Sequence, residues 1–368
     1  MRRARTARLT WAAGHTCTNA QYPTKLLDMR RVDNPKNRFE PTQLVWDEEP
    51  PPHAALELHE EHAKSILSEN DSPDIGFRYS LNPYRGCYHA CAYCYARPSH
   101  QYWGFGAGTD FERKLIVKVN APELLRERFE RRDWRGELIV FSGNTDCYQP
   151  LEAARRLTRR CLEVCAEYKN PVSIITKNAL VARDVDVLMQ LNERASVRVY
   201  VSIPFSEPAH ARALEPGASA PHKRFAALQV LAEHGIETGI SISPVIVGLN
   251  DGQLPGLLKR ASEVGVKHAF ATALRLPGEV ATVFEGRVRE LLPGYADKIM
   301  SGVHQIRRGK LNNSNFGERM TGEGPRWQVV SDLFEMHCKR LGIQTTRTGM
   351  DAREVDTFER PTQQLRLF

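Results

Sequence analysis

Asn82-Pro83-Tyr84-Arg85-Gly86-Cys87-Tyr88-His89-Ala90-Cys91-Ala92-Tyr93-Cys94-Tyr95-Ala96-Arg97-Pro98 is the stretch of this 368-residue chain on which its reading turns. A three-residue gap separates Cys87 from Cys91, and a two-residue gap separates Cys91 from Cys94. Thiolates are the ligands of iron–sulfur clusters. This spacing lets one compact loop set three sulfurs around one cube. No fourth protein ligand stands nearby, so one iron would stay open to a small molecule. The alternative is zinc, which in structural sites takes four ligands, often as two paired knuckles. His89 or His100 would then have to be recruited, because the chain has no second Cys-x-x-Cys pair.

Outward from the motif, short β-branched runs alternate with helix-like segments. Strands are expected over 115–119, 137–142, 172–176, 197–203, 238–247 and 268–276. Helices are expected between them, at 151–168, 182–194, 223–234 and 254–264. Leu157, Cys161, Val164, Cys165 and Tyr168 recur at spacings of three and four, which places them on one helix face. Repeated strand–helix alternation means parallel strands with helical crossovers, hence an open or closed β/α barrel. In such barrels the chemistry sits at the C-terminal ends of the strands.

Residues 1–72 show no sustained periodicity and carry the acidic, proline-rich Asp47-Glu48-Glu49-Pro50-Pro51-Pro52; they read as an arm. Residues 73–325 are the expected core. Residues 326–368 are expected to give one closing helix, over 327–341, and a flexible tail. The start, MRRARTARLTWAAGHT, is basic but lacks a continuous apolar core, and it reads as tail rather than leader. Eight cysteines with three of them clustered fit a metal site in a cytoplasmic protein better than disulfides. Cys161, Cys165 and Cys338 are expected in the core. The net charge of +7 favours an anionic partner such as nucleic acid.

The spaced cysteines, with an aromatic (Tyr93) just before the last, resemble the signature of radical S-adenosylmethionine (SAM) enzymes. Asn82-Pro83-Tyr84-Arg85-Gly86 before the motif and Tyr95 after it resemble the spore photoproduct lyase-related branch, often labelled DNA repair photolyase-like. The resemblance covers roughly residues 73–325. It implies an α/β fold, a partial (β/α)6-type radical SAM barrel, with an extended N-terminal arm and a C-terminal helix plus tail. It also implies a 4Fe-4S cluster on Cys87, Cys91 and Cys94, with SAM on the open iron. An external electron donor would drive reductive cleavage of SAM and hydrogen-atom abstraction from substrate.

On this resemblance, Phe141-Ser142-Gly143-Asn144-Thr145-Asp146 holds the SAM amino group, with Ser142, Asn144, Thr145 and Asp146 as contacts. Lys177, at the end of the next strand, pairs with the SAM carboxylate. Ser202 touches ribose or carboxylate. Gly239-Ile240-Ser241-Ile242-Ser243-Pro244 loosely resembles the family's adenine-side pattern and brings in Ser243. Glu215 and Arg224 are expected to pair and frame the site. Cys147 is a candidate hydrogen-atom donor, though the family's donor cysteine would fall nearer Gly143, which argues against simple transfer of the thymine-dimer reaction. A small buried residue is the plainer reading of Cys147.

Gln364-Leu365-Arg366-Leu367-Phe368 resembles the pentapeptide by which bacterial polymerases and repair proteins dock on the sliding clamp. Leu365, Leu367 and Phe368 would fill apolar pockets, and Gln364 would hydrogen-bond. Residues 301–326 read as a long polar loop in which Arg307, Arg308, Lys310, Arg319 and Arg326 neutralise phosphates. The expected function is therefore a radical SAM enzyme acting on nucleic acid, in repair or modification. The alternatives are RNA, peptide or small-molecule substrates, or a non-catalytic iron–sulfur or zinc module that binds nucleic acid.

Overall fold

A computed structural model describes residues 55–346 and 356–361. The chain begins with β1 (Glu57–Glu61), β2 (Leu67–Glu69), β3 (Tyr79–Leu81) and β4 (Tyr84–Arg85), then α1 (Thr109–Arg113), β5 (Lys114–Lys118) and α2 (Ala121–Glu130). Strand and helix then alternate through β6 (Ile139–Phe141), α3 (Glu152–Arg155), α4 (Leu157–Glu167), β7 (Val172–Thr176), α5 (Val185–Asn192) and β8 (Val197–Ser202). The alternation continues through α6 (Pro208–Leu214), α7 (Pro221–Glu233), β9 (Glu237–Val245), α8 (Leu254–Glu263) and β10 (His268–Ala273). Last come α9 (Glu279–Leu291), α10 (Ala296–Ile306), α11 (Gly324–Leu341) and β11 (Gln344–Thr345).

Eight strands form one sheet in the order β11-β10-β9-β8-β7-β6-β3-β2. From β3 to β11 every neighbour pair is parallel; β2 adds an antiparallel edge on β3. Among the described residues β2 and β11 do not pair, so the sheet stays open as a partial barrel. A second sheet, β1-β5-β4, flanks it.

Side chains alternate across each strand. Val172, Ile174, Val197, Val199, Val201, Ile240 and Ile242 face the helices and join Leu188, Leu191, Leu228, Leu231, Leu257 and Leu258 in one core. Truncating one of these leucines or isoleucines to alanine costs about 2–5 kcal/mol. The register puts Ser173, Arg198, Tyr200, Ser202, Gly239, Ser241, His268 and Phe270 on the opposite, inner face. That inner face is polar where a closed barrel would be filled with aliphatic layers. Gly239 is required there, because a Cβ would stand 2.2 Å from the Tyr200 ring.

Several expectations need correction. The first barrel strand is β3, whose three residues are too few to show a period; the expected strand at 115–119 is β5 and lies in the second sheet. The expected helix 151–168 is broken at Arg156, which takes a left-handed conformation (φ 51°). The break lets the Glu152 carboxylate accept from Thr158 N (2.9 Å) and Arg159 N (3.2 Å) and cap α4. The first six residues of the expected 301–326 loop belong to α10. Within the expected arm, β1 and β2 are paired into the two sheets. Within the expected flexible tail, Phe358 packs on Phe129 and Tyr168, and Arg360 donates to Phe129 O at 2.9 Å. Cys161, Cys165 and Cys338 are fully buried. Cys17 and the 364–368 segment lie outside the described residues.

Candidate functional site

The cysteine loop leaves the C-terminal end of β3, at the mouth of the barrel. Two residues give it its shape through positive φ: Gly86 (70°) and Ala90 (53°). At Gly86 a Cβ would stand 2.7 Å from Leu115 and 3.0 Å from His100. The loop is held from several sides. Cys87 N donates to Phe111 O (2.9 Å), Ala92 N to Leu214 O (2.9 Å) and Gly217 N to His89 O (3.1 Å). Gln149 accepts from Tyr88 N (2.9 Å) and donates to Gly86 O (3.1 Å). Arg97 is fully buried, donates twice to Cys91 O (3.0 and 2.9 Å), and pairs with Glu112 at 2.5 Å. A loop ordered by its own protein contacts offers its ligands preorganised.

Cys87 and Cys91 are buried and Cys94 is half-buried. Burial pushes the Cys91 thiol up to about 12, with the Glu215 charge adding to it and Lys177 opposing. Burial also raises Cys87, and the Asp146 charge adds to the rise, followed by Cys91 and Cys94. Among the described residues no three His, Cys, Asp or Glu side chains converge on a single-ion position. Neither histidine considered for zinc is free to serve. His100 Nε2 lies 2.8 Å from Lys114 O, and burial lowers its pKa to about 4. His89 places Nδ1 3.2 Å from Asp146 Oδ2 and Nε2 3.4 Å from Asn178. Among the described residues the loop offers three thiols without a fourth donor, which fits a cluster that keeps one iron open better than structural zinc.

The next strand ends converge on this loop. After β6, Ser142 adopts a positive φ (76°) and its Oγ accepts from Cys147 N at 2.7 Å. Gly143 passes against Ser80, where a Cβ would stand 2.6 Å away, and its carbonyl accepts from Tyr95 OH at 2.7 Å. Asn144 is exposed and donates to Ser99 Oγ (3.2 Å). Thr145 is buried; its Oγ1 donates to Tyr84 O (2.8 Å) and its carbonyl and hydroxyl accept from Asn82. Asp146 is saturated by this protein's own groups: Tyr148 N (2.9 Å), Thr176 Oγ1 (2.7 Å), Lys177 N (2.7 Å) and His89. Burial disfavours its charge, but His89, Lys177 N and Thr176 outweigh that and hold its pKa at about 2. Asp146 and Thr145 thus tie β6, β7 and the cysteine loop together, while Asn144 is the exposed member of the turn.

Lys177 gathers three of the sequence-predicted residues. Its Nζ donates to Ser202 Oγ (3.0 Å) and sits 5.7 Å from the centre of the Tyr93 ring. Tyr93 OH donates to Glu215, and Glu215 pairs with Arg224 at 2.6 Å. Both members of that pair are buried, and Arg224 also donates to Ser202 O (2.8 Å) and Ser219 O (2.6 Å). The hydroxyls of Ser241 and Ser243 are buried near Ser202 without a protein partner. Orphaned hydroxyls beside an ammonium suit a polar ligand.

Cys147 is different. It is fully buried in the main core, and burial pushes its thiol well up. The basic loop also departs from expectation. Arg307 is buried and caps the carbonyls of Ala273, Leu274 and Thr321. Arg308 pairs with Glu323, Arg319 with Asp74 at 2.5 Å, and Arg326 donates to Gln305. Carboxylates thus pair with Arg308 and Arg319, neutral oxygens occupy Arg307 and Arg326, and Lys310 is exposed. Gln149, Arg97 and Arg275 were not singled out from sequence, since nothing local marks a side chain whose partners lie in distant elements.

The fold and site define a class: an open parallel β/α barrel with a three-thiol loop after its first parallel strand. Residues 81–261 match the family model described as the radical SAM superfamily, and this chain belongs to that superfamily. An uncharacterized protein of Mycobacterium tuberculosis is 34% identical over 229 residues, 61% of this chain and 67% of the relative. One from Methanocaldococcus jannaschii is 31% identical over 199 residues, 54% of this chain and 71% of the relative. Among solved structures, spore photoproduct lyase complexed with dinucleoside spore photoproduct aligns with a TM-score of 0.58 at 16% identity. That alignment covers 78% of this chain and 81% of the other. A variant of the same enzyme with bound AdoMet and dinucleoside spore photoproduct aligns with a TM-score of 0.56. These likenesses establish the shared fold. Among the described residues no helix is long and apolar enough to cross a membrane.

Proposed function

We propose that this chain is a radical SAM enzyme whose Cys87, Cys91 and Cys94 hold a 4Fe-4S cluster and whose substrate is nucleic acid. The observation that carries the reading is the convergence of Tyr93, Lys177 and Ser202 on the three-thiol loop. When bound, the cluster and SAM supply one-electron cleavage of the sulfonium carbon–sulfur bond, fed by an external donor, and the hydrogen-abstracting 5′-deoxyadenosyl radical.

The residues of this chain bind, orient and exclude water. Lys177 offers an ammonium for the SAM carboxylate, steered by the Ser202 hydroxyl and the Tyr93 ring face. Asn144 is the exposed amide of the turn that would meet the amino group. Ser142, Thr145 and Asp146 keep that turn in place through Cys147 N, Asn82 and His89. Ser243 and Ser241 offer hydroxyls on the adenosine side. The Glu215–Arg224 pair fixes Tyr93 from beneath. Cys147, sealed in the core, is left out of this mechanism, so the dimer-splitting reaction is not carried over from the structural relatives. Nucleic acid is supported by the net charge of +7 and by spore photoproduct lyase structures that hold a dinucleoside. Segment 364–368 is the proposed clamp-docking element; deleting it should abolish retention on the host clamp, and equal retention would sink the idea.

The test is anaerobic reconstitution followed by 5′-deoxyadenosine release with undamaged DNA, ultraviolet-damaged DNA and RNA. Substrate-stimulated release with one of these supports the reading. A zinc-loaded chain inert to SAM overturns the enzyme, and stimulation only by peptide or small molecule overturns the nucleic acid.

A further inference from the structure

Arg275 follows β10 at the mouth of the barrel. Its backbone is clamped on both sides: Leu274 N donates to Val245 O (3.0 Å) and Leu276 N to Leu311 O (3.1 Å). Arg307 holds the carbonyls of Ala273 and Leu274. The side chain is half-buried, and its guanidinium lies 5.0 Å from the centre of the Tyr95 ring. Tyr95 follows Cys94 directly and is tethered through its hydroxyl to Gly143 O, so the guanidinium stands between the cysteine loop and the turn after β6.

What sets Arg275 apart among the described residues is that no carboxylate pairs with it directly: Asp74 acts on it only from beyond ion-pair distance and is paired with Arg319. The other buried arginines around the mouth are each satisfied: Arg97 and Arg287 by Glu112, Arg224 by Glu215, Arg307 by carbonyls. Arg319 is taken by Asp74. Among the described residues Arg275 has neither a carboxylate within ion-pair distance nor a hydrogen bond, only the Tyr95 ring. Burial lowers its pKa, with Tyr95 and Asp74 opposing and the nearby Arg319 charge adding to the fall. A guanidinium carries five donors in a planar fork that matches an oxyanion. None of these donors is sealed from solvent without a partner, so the fork is accessible to an incoming oxyanion.

We propose that Arg275 anchors a backbone phosphodiester of single-stranded nucleic acid beside Tyr95; this rests on the nucleic-acid reading above. Lys177 faces Tyr93, Cys91 and Cys94 and serves the cofactor carboxylate, which leaves Arg275, against Tyr95, for substrate. Aromatic surface nearby suits bases. Tyr95 and Trp103 are exposed, Arg85 stacks on Trp103 at 4.7 Å, and Asn144 bonds to Ser99 on the turn that carries Trp103. Stacking platforms beside a cationic anchor are how single strands are held without sequence preference.

The experiment uses the full-length reconstituted protein with SAM, and measures anisotropy of a fluorescein-labelled single-stranded DNA decamer over a salt series. R275Q should weaken decamer binding by about 10-fold or more and reduce the salt slope by about one phosphate. R275K should recover part of the affinity, and SAM affinity by equilibrium dialysis should stay within about 2-fold, well below the effect of losing a charged hydrogen bond. Matching thermal midpoints for R275Q, R275K and wild type exclude misfolding. Decamer binding and salt slope unchanged in R275Q overturn the proposal while leaving the nucleic-acid reading intact. Loss of SAM affinity alone assigns Arg275 to the cofactor and overturns it too. If wild type ignores the decamer but binds a labelled glutamate-rich peptide through Arg275, the nucleic-acid reading falls together with the proposal.

Discussion

The two ends of the barrel lumen carry similar residue types and treat their charge in opposite ways. At the N-terminal end, Arg198 pairs with Glu237 at 2.9 Å and His268 bonds to the same carboxylate. At the C-terminal end, among the described residues, the Lys177 ammonium meets a serine hydroxyl and a ring face, and Arg275 a ring face alone. The inner-face charges at the N-terminal end are paired with each other, whereas at the mouth paired arginines such as Arg224 stand beside two cations, Lys177 and Arg275, that have no carboxylate partner among the described residues. The difference matches the rule that β/α barrels keep stability at one face and chemistry at the other.

The sharpest way to break this division is Cys91→Ala. Cluster loading and 5′-deoxyadenosine release should fall to background, while the thermal midpoint stays close to wild type, because the loop rides on the barrel rim. Full iron and sulfide content in this variant would mean the ligand assignment is wrong. Next in size is Glu215→Ala, which strips the counter-charge from buried Arg224. Removing one partner of a buried pair costs about 3–5 kcal/mol, so chemical denaturation should show a clear loss of stability, with Glu215→Gln milder. An unchanged midpoint would show that the support under Tyr93 is dispensable.

Lys177→Ala probes the open end directly. SAM affinity should drop about 10- to 100-fold, the scale of losing a charged hydrogen bond, with cluster content and stability retained. Equal affinity would move the carboxylate contact elsewhere. The smallest effect belongs to the closed end. The hydrogen bond from His268 and the Arg198 charge outweigh burial and hold the Glu237 carboxyl at about 2, below its ordinary 4.5. A depressed carboxylate stabilises the fold above its unfolded pKa, and that contribution is lost as pH falls through the folded value. Glu237→Gln should therefore be less stable than wild type at neutral pH, with the gap closing between pH about 4.5 and about 2. A gap that is constant with pH, read from thermal midpoints, would show that Glu237 is not titrating against its partners.

Much of the barrel was legible because its strands are long enough to carry a pattern. β7 was placed to the residue, and β8, β9 and β10 to within a few. β3 escaped because three residues hold no periodicity, and α9 and α10 because the polar composition that follows masked them. The three thiols were legible because their spacing is local. The nature of the basic loop was not: Arg319 is neutralised by Asp74 and Arg308 by Glu323, and sequence shows a charge without its partner.

By itself the sequence determined the three-cysteine loop and the parallel β/α order, since ligand spacing and hydrophobic period are written in neighbouring residues. Only the tertiary structure decided which charges are spent and which are open. Glu215 under Tyr93, Asp74 on Arg319 and Tyr95 against Arg275 meet across elements far apart in the chain. Electrostatic compensation depends on distance in space and on burial, and neither can be read along the chain.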